Sequence, residues 1–220
     1  MRFAEGEIYH IYSKGVDGRN IFNSAIDYKR FLLGLRAFNN ISSVELRRYN
    51  STERVVPHMP QESLVSILSY ILMKNHVHFL IKCVDAQKMA KFLNKIFAAY
   101  TTYFNLKYNR KGVLFQSRSK SKHIYNDGYL QVMLQYIILN SLDEHFPEWR
   151  WGKLRNIRSA RKILINYPWS SLAEMSGKTN NFIIDKDLVS DFIDDPSGFL
   201  DSLLFWSSRD FEKNNEFFLE

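Results

Sequence analysis

Two histidines separated by one apolar residue, His76-Val77-His78, lie within Met73-Lys74-Asn75-His76-Val77-His78-Phe79-Leu80-Ile81. In a strand, residues i and i+2 share a face and stand about 6.5–7 Å apart along the chain. Two neutral imidazoles so placed can grip one divalent ion, while Val77 and Phe79 turn to the opposite side. The same pattern also suits two unrelated histidines beside a hairpin turn. A second pair is Tyr136 and Asn140, in Leu134-Gln135-Tyr136-Ile137-Ile138-Leu139-Asn140. Four residues apart, they share one helical face about a turn from each other. Asn140 offers a carbonyl oxygen to a hard cation, and Tyr136 offers a phenol oxygen. A phenol is a weak nucleophile at its ordinary pKa, so it needs a metal-polarised phosphate or a nearby base. The chain has 12 tyrosines, and a tyrosine in an apolar helix is usually a core residue; spacing alone leaves both roles open. Of the other histidines, His10 reads as structural, His58 and His145 as loop residues, and His123 as polar surface or a neighbour of the site. Cys83 reads as a small core residue.

The elements that must position these groups follow from period and punctuation. Residues 8–13 are aromatic and β-branched and read as a strand; a loop with two glycines, 14–19, follows. Phe31, Leu32, Leu35 and Phe38 recur at helical spacing over 27–39. Residues 44–60 are polar, end on two prolines and read as a loop. Residues 64–72 and 76–84 form two strands of a hairpin, and 87–108 a long helix. Residues 113–116 are expected to form a short strand. A helix capped by Asp127 or Gly128 is expected to run to about 142. Pro147, Trp149, Trp151 and Trp169 mark irregular packing. This order suggests an α+β protein with helices packed on an antiparallel sheet. A domain over 1–176 and an acidic, small-helical tail over 177–220 are expected.

Hydrophobic residues make up 45% and aromatic residues 15% of the 220, enough to bury a core. One cysteine excludes a disulfide framework and a thiolate zinc cluster. No apolar run reaches the length of a membrane span, and the N-terminus has no signal-like apolar stretch, so a cytoplasmic protein is expected. Net charge is +7, unevenly placed. Residues 1–165 hold 26 Lys+Arg against 12 Asp+Glu, and residues 166–220 hold 4 against 11. A basic body attracts polyanions, nucleic acid above all.

In order along residues 7–172, these features resemble one family. They are Tyr9-His10-Ile11-Tyr12-Ser13-Lys14-Gly15 with Arg19-Asn20-Ile21-Phe22; the His76-Val77-His78 hairpin; Gly112-Val113-Leu114-Phe115-Gln116-Ser117-Arg118; Tyr129-Leu130; Tyr136-Ile137 with Asn140; and Tyr167-Pro168-Trp169-Ser170-Ser171. The chain resembles the single-tyrosine HUH transposases of small insertion sequences, the repeat-associated tyrosine transposases among them. Three departures stand out. Asn140 is followed by Ser141 where the family often has proline, Phe115 stands where it has tryptophan, and the acidic tail has only a loose counterpart.

The resemblance implies a ferredoxin-like (RRM-like) antiparallel sheet with the histidine pair on a central strand. It implies His76, His78 and Asn140 as ligands of Mg²⁺ or Mn²⁺, and Tyr136 as the nucleophile. The activity implied is cutting and rejoining of single-stranded DNA, often hairpin-bearing, through a 5′-phosphotyrosine. Such a protein would be nucleoid-associated and act as a monomer or as a homodimer exchanging the tyrosine helix. Lys14, Arg19, Arg110, Lys111, Gln116, Arg118, Lys120 and Lys122 are the candidates for holding DNA, with aromatics available to stack unpaired bases. Residues 155–162 carry four cations, a further DNA face or simply a solvated one. Three alternatives stand beside it: a replication-initiator-like nickase, a non-catalytic nucleic-acid-binding domain of the same fold, and a histidine metalloprotein unrelated to nucleic acid, against which the basic body argues. The charge contrast further suggests that the acidic tail folds back over the basic surface and weakens DNA binding.

Overall fold

The computed structural model describes residues 3–42, 62–179, 181–193, 195 and 198–209. The expected loop over 44–60, with His58, lies outside them. Strand β1 (Ile8–Lys14) leads into helix α1 (Ala25–Phe38), hairpin strands β2 (Ser66–Met73) and β3 (His76–Lys82), helix α2 (Ala86–Lys107), strand β4 (Lys120–Ile124) and helix α3 (Asp127–Leu139). Four shorter helices follow: α4 (Ile157–Asn166), α5 (Leu172–Met175), α6 (Lys186–Ser190) and α7 (Phe199–Ser207). No helix among the described residues is long and apolar enough to cross a membrane.

The strands form one sheet in the order β2-β3-β1-β4, every neighbour antiparallel. A β-α-β-β-α-β chain in that order is the ferredoxin-like arrangement, so β1 and β3 lie at the centre, as expected. The register places Tyr12 opposite His78 and Lys14 opposite His76 across β1 and β3. It sets His10 opposite Lys122 and Tyr12 opposite Lys120 across β1 and β4. Because strand side chains alternate, His10, Tyr12, Lys14, His76, His78, Lys120 and Lys122 all belong to one face of the sheet. Val77 and Phe79 belong to the other and are fully buried. There α1 and α2 pack, with the Phe31 ring 6.0 Å from that of Phe79.

Helix α3 lies on the histidine face, against β2, β3 and β4. Its start is fixed by the Asn126 side chain, which accepts a hydrogen bond from the Tyr129 amide, one residue before the expected cap. The helix proper stops at Leu139, and Asn140–Leu142 continues as a tighter 3₁₀ turn. The outer edge of β2 is covered by the later chain: the Leu72 amide donates to the Trp169 carbonyl, Ser171 to Tyr70, and Asp185 to Ile67. Such cover removes one template for edge-to-edge pairing.

Residues 113–116 do not form the expected strand. They contribute one isolated bridge, Phe115 to Gly15, and the fourth strand is Lys120–Ile124. Only Ile124 of that strand is buried, so it lacks the apolar alternation by which strands are recognised. Lysines on an outer strand are a usual guard against unwanted pairing. Beyond residue 177, Ile183, Ile184, Val189, Ile193, Phe199, Leu203 and Leu204 are buried in the same apolar core as the sheet. Gln131 on α3 donates to the Phe192 carbonyl, and Arg161 on α4 pairs with Asp201 on α7.

Candidate active site

The alternation of β1 and β3 sets three imidazoles side by side. His10 Nε2 and His78 Nδ1 are 2.8 Å apart, and their rings stack at 5.1 Å. His78 sits diagonally across from His10, a pairing distance within reach of aromatic side chains. Tyr12 stacks on His10 at 5.2 Å and on His78 at 6.0 Å. His76 meets His78 edge-on, ring centroids 5.0 Å apart at 87°. His76 Nδ1 lies 2.7 Å from the Asn75 side-chain oxygen. That oxygen only accepts, so Nδ1 carries the proton and Nε2 is left as the acceptor nitrogen.

Burial lowers the pKa of all three rings. His10 falls to about 3, with the Lys122 ammonium adding to the effect, and His76 to about 4, with Lys14 adding to it. His78, wholly buried and beside two other imidazoles, lies well below the ordinary range. At neutral pH the cluster is therefore uncharged, the state in which imidazole binds a metal. An ion about 2.1 Å from each ligating nitrogen would sit about 3.3 Å from each ring centre. Ring centres 5.0 Å apart, as those of His76 and His78 are, would then subtend an angle of about 100° at the ion, near the tetrahedral value. The donor set of His76, His78 and the Asn140 oxygen thus suits a divalent ion. No group of three or more His, Cys, Asp or Glu able to hold a metal occurs among the described residues.

Helix α3 brings Tyr136 and Asn140 onto this face. The Tyr136 ring stands edge-on to His78 at 6.1 Å and to His10 at 6.3 Å, and both Tyr136 and Asn140 are buried. Asn140 Nδ2 donates to the Tyr136 backbone carbonyl at 2.7 Å, which fixes the Asn140 side chain against the turn that carries Tyr136.

One neighbour was not visible in the sequence. Arg150, in the 3₁₀ turn Pro147–Trp151, donates from NH1 to the Tyr136 hydroxyl and from NH2 to Asn140 Oδ1, both at 3.0 Å. Its Nε and NH2 also donate to the Asp143 carboxylate, at 3.1 and 2.6 Å. Asp143 in turn accepts from Trp149 Nε1 at 2.8 Å. Burial alone would lower the Arg150 pKa, but the Asp143 carboxylate and the Tyr136 oxygen more than offset it and hold the guanidinium above its usual range. No helical or strand period links position 150 to positions 136 and 140. The one hint in the sequence is that Arg150 lies in a proline-bearing turn shortly after Asp143. His10, which reads as structural in sequence, stands within the cluster.

Of the candidate DNA contacts, Lys14, Gln116 and Lys120 converge with Tyr12, Ser13 and Ser117 on a hollow of about 160 Å³. Lys120 lies over the Tyr12 ring at 5.8 Å, and Lys122 over Tyr129 at 5.4 Å. The others stand apart. Arg19 turns back to the Val16 carbonyl, and Arg110 to the Asn105 side chain and the Val113 carbonyl at the end of α2. Lys111 is exposed. Arg118 borders a groove shared with Phe97, Thr101 and Phe115, on the α2 side. His123 belongs to the face away from the histidine cluster and bonds Glu7 at 2.5 Å.

Residues 41–140 match the family model described as "Transposase IS200 like". That span holds His76, His78 and Tyr136 and ends on Asn140. This segment belongs to the IS200-like transposase family. The resemblance to single-tyrosine transposases seen in the sequence is thereby borne out. One solved structure, of a REP-associated tyrosine transposase bound to a REP hairpin, is similar at a TM-score of 0.48 and 9% identity, over 81% of this chain and 84% of that one. No curated protein matches the chain.

Proposed function

We propose that the chain is a divalent-metal-dependent endonuclease and strand transferase for single-stranded DNA, with Tyr136 as nucleophile. The observation that carries this reading is Tyr136, on the last turn of α3, edge-on to His78 of the neutral histidine pair, with Asn140 one turn further on, in a segment of the transposase family. His76, His78 and the Asn140 oxygen would hold Mg²⁺ or Mn²⁺. When bound, that ion would supply charge stabilisation at the non-bridging oxygens of the scissile phosphate. The Tyr136 oxygen attacks phosphorus, its proton is lost, and the bond from phosphorus to the 3′ oxygen breaks. The products are a 5′-phosphotyrosine and a free 3′-OH. The new ester keeps the energy of the old one, so a second 3′-OH can reseal the strand without ATP. Water takes no part, and burial of Tyr136 and His78 suits that exclusion.

Lys14, Gln116, Lys120 and Lys122 are the groups best placed to carry the DNA strand toward the site, with Tyr12 as a stacking platform. Hairpin-bearing ends, a cytoplasmic, nucleoid-associated location and action as a monomer or homodimer belong to the same proposal. Labelled single-stranded DNA carrying a hairpin, incubated with Mn²⁺ and run on a denaturing gel, tests it. A protein–DNA adduct that requires both Mn²⁺ and Tyr136 is expected. Intact DNA binding without an adduct, across a varied pool of oligonucleotides, would favour the non-catalytic binding domain instead.

A further inference from the structure

We propose that Arg150 is a positioning residue that sets the nucleophile and a ligand oxygen as one unit; this rests on the reading of Tyr136 and Asn140 given above. A guanidinium has five N–H donors in a rigid fork. Two of them, from Nε and NH2, are anchored on the Asp143 carboxylate, itself fixed by Trp149 Nε1. The next two go to the two atoms that the proposed chemistry uses, the Tyr136 hydroxyl and Asn140 Oδ1. The planar fork therefore fixes the distance between those oxygens, and the anchor fixes both relative to the sheet. Stacking adds to this: the guanidinium lies 5.3 Å from the Tyr136 ring centre and 5.0 Å from that of Trp149.

A purely structural role fits the location less well. Arg150 lies next to the proposed reacting groups: its guanidinium packs on the Tyr136 ring, which itself stands edge-on to His78 at 6.1 Å. Asp143 already balances the Arg150 charge, and a guanidinium held in this way can serve a second anion beside the first. A scissile phosphate is such an anion, and holding the Tyr136 oxygen for attack on it is the use that the geometry points to. The Arg150 side chain keeps 27% of its surface, so a small solute can reach its place.

The test measures single-turnover adduct formation on hairpin-bearing single-stranded DNA with Mn²⁺, together with DNA affinity. Arg150→Ala is expected to form adduct about 100-fold more slowly, the cost of one lost donor at a reacting centre, with DNA affinity within about threefold of wild type. Guanidinium added at sub-denaturing concentration should restore at least about tenfold of that loss. It should do nothing for Tyr136→Phe. An Arg150→Ala protein that reacts within about threefold of wild type, or whose loss guanidinium does not restore, overturns the inference. Should Arg150→Ala fail to fold, Arg150→Lys keeps the charge without the fork. It is expected to bind DNA normally and to lose about tenfold in rate at unchanged KM, and an unchanged rate overturns the inference. No adduct from the wild type overturns the nuclease reading and this inference with it, whereas wild-type adduct unaffected by Arg150 variants overturns the inference alone.

Discussion

At the residue scale, the most heavily bonded carboxylate among the described residues is structural rather than functional. Asp27, fully buried, accepts from Lys107 at 2.5 Å, Tyr108 at 2.6 Å, Tyr103 at 2.9 Å and the amides of Asn23 and Ser24. It thereby ties the start of α1 to the end of α2. Burial would raise its pKa, but the bonds from Lys107 and Tyr108 win and hold it below the ordinary carboxylate range. A depressed carboxylate contributes stability above the unfolded pKa of about 3.9 and loses it as pH falls through the folded value. Asp27→Asn should thus cost about 3 kcal/mol at pH 7 and show a shallower loss of stability below about pH 4. Thermal melts of both proteins at pH 7 and pH 3 check it; an unchanged melting temperature at pH 7 contradicts it. His10 makes the opposite case, a buried group with a bearing on the site. His10→Phe keeps a ring in the stack but removes the bond to His78, and should weaken Mn²⁺ binding about 10- to 100-fold by calorimetry. Unchanged binding would show that His78 needs no such partner. Tyr136 with Asn140, and His76 with His78, were legible as pairs because each lies within one period of a single element. Arg150 and His10 were not, since their contacts cross a 3₁₀ turn and a strand pair that no local spacing encodes.

At the element scale, the loop after β1 shows why one glycine is where it is. Gly15 has an ordinary backbone, φ −62°, so conformational freedom is not what it supplies. A Cβ there would lie within van der Waals overlap of the Arg19 carbonyl, at 2.2 Å, and 3.0 Å from Ile21. The same residue donates to the Asn75 carbonyl at the hairpin turn, and Val16 donates to Leu114. These bonds hold the turn before His76 against β1. Gly15→Ala should push the loop outward and cost about 2 kcal/mol, or roughly 4–8 °C in a chain of this size. A melting curve that matches wild type would mean the loop yields freely. Most elements were readable: the first strand, both long helices and the hairpin carry clear apolar periods. The fourth strand was not, because Lys120-Ser121-Lys122-His123 is polar throughout and is held by its ladder to β1 rather than by burial. The misplaced strand at 113–116 has apolar residues, but Leu114 and Phe115 are buried as part of an irregular segment, Phe115 against Phe97 of α2, while Val113 is exposed.

At the scale of the whole molecule, the segment after residue 177 is joined to the rest by burial as well as by charge. Seven of its apolar side chains enter the common core, and each is worth roughly 1.5–3 kcal/mol when fully buried. Their sum is comparable with the total stability of about 5–15 kcal/mol typical of a domain. Deleting residues 178–220 should therefore yield an unstable or aggregating protein, not merely a tighter DNA binder; a soluble truncation with an unchanged melting temperature contradicts this. The charge idea is better tested in the full chain. Asp201→Asn releases Arg161 on α4, and an exposed pair of this kind contributes at most about 1 kcal/mol to folding. It should raise affinity for single-stranded DNA only if the acidic segment shields that face. The overall fold class followed from the order of elements and the resemblance, whereas the packing of the acidic segment onto the core did not, because its apolar residues are scattered among acids without a long period. The central claim is that Tyr136 becomes covalently joined to DNA. Adduct formed with Mn²⁺ should be digested with protease and nuclease and the modified peptide sequenced by mass spectrometry. A nucleotide carried through its 5′ phosphate on Tyr136 is the expected result; a nucleotide on another tyrosine, such as Tyr12 or Tyr129, or cleaved DNA with no attached protein, would contradict the account.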